Sequence, residues 1–199
     1  MKKKTIYIVL MSPRPKSNRA RVISSKSVFE GPVFRVFSEQ VQEPDGVRVR
    51  RDIVRHHGSI VILALAEAGS RRPPRVLLER QYRHAAGARL WELPAGSLEP
   101  GENKLAAAKR ELAEETGYTA ARWQKALFFY VSPGFLDESM EVYLARDLKK
   151  GKAQPEDDER IATRFFPLPQ AVRMAMTGKI KDAKTLASLL WLDRRLARR

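Results

Sequence analysis

Between Ser59 and Ala66 the chain reads SIVILALA, a near-continuous apolar run that predicts a central strand buried on both faces. Ahead of it, Ser27–Val36 (SVFEGPVFRV) and Val47–Val54 (VRVRRDIV) alternate as strands do. Pro44-Asp45-Gly46 supplies the turn between them, proline presetting φ and glycine taking the positive one. After the polar stretch Ser70–Pro74, Arg75–Arg80 (RVLLER) predicts a strand, and Arg89–Ala95 (RLWELPA) another that ends against Pro94. Ala126–Val131 and Met140–Ala145 predict two more. Helical spacing takes over from Lys104 to Thr116, a run rich in Ala, Leu, Lys and Glu. Asn103 is a good N-cap for it, Gly117 a good left-handed stop, and Leu105, Ala108 and Leu112 should face the core. Lys149–Arg160 (KKGKAQPEDDER) reads as a polar, mobile loop. Phe165–Thr177, opening around Pro167, follows it, and Ala183–Leu196 is a closing amphipathic helix capped by the Asp182-Ala183-Lys184-Thr185 segment.

At 199 residues, with 43% hydrophobic and 31% charged content, the pattern belongs to one globular domain with an extra subdomain. No apolar run approaches the length of a membrane span. The absence of cysteine excludes disulfides, thiolate zinc sites and a cysteine nucleophile, and it suits the cytoplasm. The net charge of +15 invites a nucleic-acid reading, but its placement argues otherwise. Lys2, Lys3, Lys4, Arg14, Lys16, Arg19, Arg21 and Lys26 stand before any acidic residue, and Arg194, Arg195, Arg198 and Arg199 close the chain. The middle is close to balanced, so the charge does not mark a specific nucleic-acid face. Residues 1–26 read as a basic leader without defined structure. Their short apolar stretch is not followed by a small-x-small cleavage site, as a signal peptide would require.

The helix Lys104–Thr116 carries the candidate chemistry. Glu111 and Glu115 are i and i+4, so their carboxylates stack on one face, with Glu114 one step round. Stacked carboxylates repel unless a cation sits between them. A hard divalent ion such as Mg²⁺, with waters and substrate phosphates completing its shell, is the natural occupant. The blander alternative is a solvated amphipathic helix decorated with charge. The pattern extends further, however: Gly96, five residues, Glu102, seven residues, Arg110-Glu111, Leu112, Ala113, Glu114-Glu115, Thr116, Gly117. Seven such Gly, Glu and Arg positions coincide by chance at roughly 10⁻⁸ to 10⁻⁹ per starting position.

This spacing matches the Nudix box, with Tyr118 standing where an aliphatic residue is usual, and the chain resembles the ADP-ribose pyrophosphatase branch of the Nudix hydrolases. The resemblance covers about residues 27–195 and includes the WELPAG segment from Trp91 to Gly96 and Ser132-Pro133-Gly134, with Pro133 fifteen residues beyond Tyr118. It implies an α/β/α sandwich with a central mixed sheet over 57–199, and a small N-terminal antiparallel β subdomain over 27–56 through which two copies form a homodimer. It implies Mg²⁺, with Mn²⁺ as a substitute, held by Glu102, Glu111, Glu115 and the backbone carbonyl of Ala95. Arg80, Arg83, Glu92, Pro133 and Gly134 would meet a nucleotide-sugar substrate. The proton of the attacking water would fall to Glu114 or to the loop acids Asp157 and Glu159. Gly96, Arg110 and Gly117 would shape the motif, Arg110 by pairing with carboxylates. Hydrolysis of ADP-ribose to AMP and ribose 5-phosphate is the leading expectation. A GDP-sugar hydrolase, or a Nudix-fold module that binds a nucleotide sugar without cleaving it, is the alternative.

Overall fold

The computed structural model describes residues 19–67, 72–154 and 160–197. The chain divides into two compact units, Met1–Arg55 and His56–Arg199. The first holds a three-stranded sheet in the order β1-β2-β3, from β1 (Arg21–Glu30), β2 (Phe34–Gln42) and β3 (Arg48–His56). The predicted strand Ser27–Val36 is in fact two strands. Pro32 has no N–H to give a ladder, and the chain reverses between β1 and β2, where the Gly31 N–H donates to the Phe34 carbonyl at 3.0 Å. β1 also begins at Arg21, inside the stretch read as leader. The Pro44-Asp45-Gly46 turn is where it was expected, between β2 and β3. Gly46 has φ +96°, and the Asp45 carboxylate accepts from the Val47 N–H at 3.0 Å.

The second unit is a mixed seven-stranded sheet. Its strands are β4 (Ser59–Ala66), β5 (Arg75–Arg83), β6 (Ala88–Glu92), β7 (Ala95–Ser97), β8 (Tyr118–Tyr130), β9 (Ser139–Lys150) and β10 (Ala162–Pro167). The order β10-β5-β4-β9-β8 has β4 and β9 parallel and the other neighbours antiparallel. β4 and β5 pair only at Leu65–Ala66 with Arg75–Val76, and from there they diverge. The WELPAG segment fills the fork: β6 pairs with β5, β7 pairs with β4, and the Ile62 N–H donates to the Pro94 carbonyl at 2.8 Å. A strand that breaks at Leu93-Pro94 can serve both arms of a splitting sheet.

β4 is apolar throughout because helices cover both its faces. Ile60, Ile62 and Ala64 pack with Ala107, Ala108 and Leu112 of α1 (Lys104–Thr116). Val61, Leu63 and Leu65 pack with α2 (Leu168–Met176) and α3 (Ala183–Leu196), against Leu168, Ala171, Leu189 and Leu192. All six β4 residues are at most 1% exposed, and burying each large side chain contributes about 1.5–3 kcal/mol. This is the α/β/α sandwich that the resemblance implied.

Several elements run further than their apolar patterns. β8 is 13 residues long, not six, because a bulge between Lys125 and Leu127 breaks its alternation. β9 continues through the charged Asp147–Lys150, so the polar loop starts at Gly151 rather than Lys149. Phe165 and Phe166 lie in β10, paired with Leu77 and Val76, and α2 begins only after Pro167. Among the described residues no helix is long and apolar enough to cross a membrane.

Candidate active site

α1 is bounded as its sequence demands. The Asn103 side chain accepts from the Leu105 and Ala106 N–H groups at 3.0 and 3.2 Å. Gly117 ends the helix at φ +72°, and a Cβ there would also meet the backbone of Lys152 and Ala153. Tyr118, the departure from the aliphatic pattern, packs its ring edge-on against Phe165 at 5.4 Å, away from the acids. With its ends fixed, α1 keeps Leu112 in the core and carries Glu111 and Glu115 along one stripe, Glu115 being 5% exposed.

Arg110 gathers the acids of the box. Its Nε and Nη2 donate to the two oxygens of Glu102, both at 3.1 Å, and its Nη1 donates to Glu111 at 2.8 Å and Glu114 at 3.0 Å. One planar fork thus holds three carboxylates in register. The Glu102 hydrogen bond is the chief reason the guanidinium binds its proton more firmly than usual, and the same contact lowers the Glu102 carboxyl below its ordinary value. Gly96 leaves the room that Glu111 needs, since a Cβ on Gly96 would overlap the Glu111 carboxyl group. Ala95, whose carbonyl was expected among the metal ligands, opens β7 in the residue before.

A second arginine gathers a second set. Cross-strand register places Glu79 of β5 directly opposite Glu92 of β6, and they are 0% and 1% exposed. Two carboxylates side by side in the interior need cations. Arg83 supplies one, its Nε and Nη2 donating to the two Glu92 oxygens, each at 3.0 Å. Lys184 of α3 supplies another, with its Nζ on Glu92 and also on Asp182 at 2.9 Å. Burial alone would push the Glu92 carboxyl up, but the hydrogen bonds and charges of Arg83 and Lys184 outweigh it and hold the carboxyl below its ordinary value. Arg83 in turn is raised, first by its bond to Glu92, with the charges of Glu79 and Glu115 adding to the pull. Arg83 thus pairs with the buried Glu92 and also feels the charge of Glu115 on α1.

Not every predicted residue joins them. Strand alternation puts Arg83 on the α1 side of β5 with Leu77 and Glu79. Arg80 points the other way, its guanidinium 5.9 Å from the Trp91 ring centroid, which lies over the α2–α3 core. Pro133 and Gly134 occupy an exposed turn between β8 and β9, at the end of β4 where β7 also pairs. That turn is tied down at its far side: Asp137 accepts from the His56 N–H and Glu138 from the Ser59 hydroxyl, both at 2.8 Å. Asp157 and Glu159 lie outside the described residues. The chain leading to them is anchored on α1, with the Gly151 N–H donating to the Gly117 carbonyl at 2.6 Å and the Gln154 N–H to the Glu114 carbonyl at 2.9 Å.

Sequence reasoning missed Glu79, Glu141 and the reach of Lys184. Glu141 on β9 is 7% exposed and bound by Lys104 at 2.9 Å, Lys125 at 2.7 Å and the Tyr143 hydroxyl at 2.7 Å. Burial opposes its ionisation, yet these partners together bring it down to about 2. The available signal was an acid inside an apolar strand pattern, at the end of RVLLE and the start of MEVYLA. Such a residue needs a partner if buried.

Among the described residues no three acidic or histidine groups form a ready-made cation cage. The donors are all hard carboxylate oxygens, and Gly96 leaves the room that the Glu111 carboxylate takes up among them. The residues present fit a divalent cation.

The arrangement is an acid-lined helix packed on a forked mixed sheet. Residues 55–189 match the NUDIX domain, and the chain belongs to that family as a Nudix hydrolase. Nudix hydrolases in general use divalent metal ions. The chain is 34% identical over 180 residues to the ADP-ribose pyrophosphatase of Bacillus subtilis, covering 89% of this chain and 95% of that relative. It is 37% identical over 171 residues to the ADP-ribose pyrophosphatase of Mycobacterium tuberculosis, covering 84% and 80%. The crystal structure of an ADP compounds hydrolase has the same fold, with a TM-score of 0.76 at 19% identity over 90% of this chain and 95% of that one.

Proposed function

We propose that this protein hydrolyses the diphosphate bond of a nucleoside diphosphate sugar in a Mg²⁺-dependent reaction, with ADP-ribose as substrate and AMP and ribose 5-phosphate as products. The observation that carries the reading is the pair of arginine-centred clusters. Arg110 aligns Glu102, Glu111 and Glu114, and Arg83 forks onto Glu92 while the charge of Glu115 acts on it. Similarity over most of the chain to two ADP-ribose pyrophosphatases supports the choice of substrate.

Glu111 and Glu115, with Glu102 and the Ala95 carbonyl, would hold the cation. When bound, it supplies charge neutralisation on the diphosphate oxygens and Lewis acidity at phosphorus. Arg110 holds the carboxylates in their orientation before any ligand arrives, which is the work of a second layer of residues in metal sites. Arg83 has one guanidinium nitrogen, Nη1, not used in its fork with Glu92, and its side chain is 39% exposed. That charge suits a substrate phosphate. The water's proton would be taken by Glu114, 42% exposed, or by Asp157 or Glu159. The N-terminal sheet would pair two protomers, and the protein would act in the cytoplasm.

The test is AMP or GMP release by purified protein from ADP-ribose, GDP-mannose, ADP-glucose and ATP, with and without Mg²⁺. Metal-dependent AMP release fastest from ADP-ribose is expected. Preference for GDP-mannose would move the reading to a GDP-sugar hydrolase, and no turnover across the panel would leave the non-catalytic nucleotide-sugar-binding reading.

A further inference from the structure

The start of α3 reaches toward the candidate site through the fork in the sheet. Thr185 is 0% exposed and Lys184 8%. The Leu93 N–H donates to the Thr185 hydroxyl at 2.8 Å, and that hydroxyl donates to Asp182 at 2.5 Å. Asp182 also caps the helix by accepting from the Thr185 N–H at 3.0 Å. Lys184 bridges Asp182 and Glu92, and Glu92 is the residue that orients Arg83. α3 itself packs Leu189 and Leu192 in the core on the far face of β4, whereas Arg83 shares the α1 face of β5. A continuous chain of hydrogen bonds therefore crosses the layer, from Asp182 through Lys184 and Glu92 to Arg83.

Charge gives this chain a purpose beyond packing. Glu92 accepts from two cations, so neither is fully neutralised by it. If Lys184 were uncharged, Arg83 alone among the described residues would give Glu92 a cationic hydrogen bond, and its attraction for an incoming phosphate would fall. If Lys184 were present but Thr185 could not hold the Leu93 backbone, the Glu92 carboxylate would lose its fixed position.

We propose that Lys184 is a positioning residue which, by sharing Glu92, keeps Arg83 aimed and electropositive toward the diphosphate of the substrate, with Thr185 fixing the strand that carries Glu92. The inference rests on the reading of Arg83 as a diphosphate-binding group, and the probe is chosen to separate the two. Titration calorimetry with inorganic pyrophosphate and Mg²⁺ on the full chain measures the grip on a diphosphate without requiring any particular nucleotide. Turnover of ADP-ribose is measured separately, and its failure bears only on the proposed function.

Lys184→Met is expected to weaken pyrophosphate binding by about tenfold, and by less than about twofold in an Arg83→Met background, the signature of two residues acting as one unit. With ADP-ribose the same variant raises KM and leaves kcat within about threefold. Lys184→Arg, which keeps the charge, restores binding. Should Lys184→Met not fold, Lys184→Gln removes the charge and keeps donors for Glu92 and Asp182, and the same loss is expected. Three outcomes overturn the proposal: unchanged pyrophosphate affinity with only a lowered melting temperature, an equal loss in the Arg83→Met background, or no pyrophosphate binding by the unaltered protein.

Discussion

Gly96→Ala separates the two roles a glycine can have. Gly96 is not among the positive-φ residues, so alanine meets no backbone strain there. What it meets is Glu111, whose carboxyl group occupies the place of the new Cβ. Ordinary van der Waals contact between carbons is about 3.5–4 Å, so the two must separate by more than about an ångström. β7 is pinned to β4 at Ser59, Ile60 and Val61, which leaves the Glu111 side chain as the part that gives. Turning it off its rotamer costs about 0.5–1.5 kcal/mol and breaks its 2.8 Å bond to Arg110. The fold tolerates that loss. Misplacing a reacting or ligating group by about 1 Å costs on the order of 10²-fold in rate, equivalent to about 2.7 kcal/mol of barrier. The assay is kcat against Mg²⁺ concentration, beside a thermal melt. Gly96→Ala should melt near the unaltered protein yet lose about a hundredfold in kcat, with its Mg²⁺ dependence shifted to higher concentration. Gly101→Ala is the contrast: φ there is +78° with nothing within 4 Å of a new Cβ, so it should lose about 1–2 kcal/mol of stability and keep its turnover. Unaltered turnover and Mg²⁺ dependence in Gly96→Ala would refute the argument that Glu111 is held where the cation binds.

Glu115→Gln should retain the fold and lose most turnover, because it removes a charge from the acid stripe; full activity would take Glu115 out of the cation's shell. Arg110→Lys keeps the charge but has no planar fork to grip both oxygens of Glu102 while reaching Glu111 and Glu114, and should lower activity by about 10–100-fold, read as kcat at saturating Mg²⁺; a value within threefold would show that the fork is dispensable. Glu141, brought down to about 2 from 4.5, contributes stability that is fully present above about pH 5 and lost as the pH falls through 2. Urea unfolding of Glu141→Gln should therefore show a deficit of about 3 kcal/mol at pH 7, shrinking by half or more at pH 3, and a deficit independent of pH would remove the ion pairs as its cause. Asp157→Asn and Glu159→Gln divide the remaining candidates: if both keep full kcat, the water's proton goes to a box residue such as Glu114.

The parts of this protein legible in the sequence are those whose cause is local. α1 begins at Lys104 and ends at Thr116 because Asn103 and Gly117 supply cap and stop within the same short stretch. β4 was legible because burial on two faces leaves no polar position after Ser59. The spacing from Gly96 to Gly117 was legible because each residue answers a constraint within one loop and one helix, and the structure gives two of those constraints a form: room for Glu111 at Gly96, and close backbone approach at Gly117. The elements that were misjudged have distant causes. β10 and the outer halves of β8 and β9 are polar or mixed, and they become strands because a neighbouring strand accepts their ladders.

The same division explains the site. Arg80 and Arg83 both stood as candidate substrate contacts in RVLLERQYR, Arg83 the stronger, and the pleat separates them: β5 alternation sends Arg83 to Glu92 and Arg80 to Trp91. Glu79 and Glu92 are thirteen residues apart in the chain and become neighbours through the β5–β6 register. Lys184 joins them from 92 residues beyond Glu92, and nothing near it in sequence signals that its charge is needed there. A buried acid opposite another buried acid is a cost that no single strand can meet. The fold meets it by routing a helix terminus from the opposite layer into the fork of the sheet, which also places the charge of α3 one hydrogen-bonded residue away from Arg83. Under the proposal that Lys184 positions Arg83, the function of the Asp182–Thr185 segment is electrostatic and belongs to the candidate site, although its residues sit outside the box.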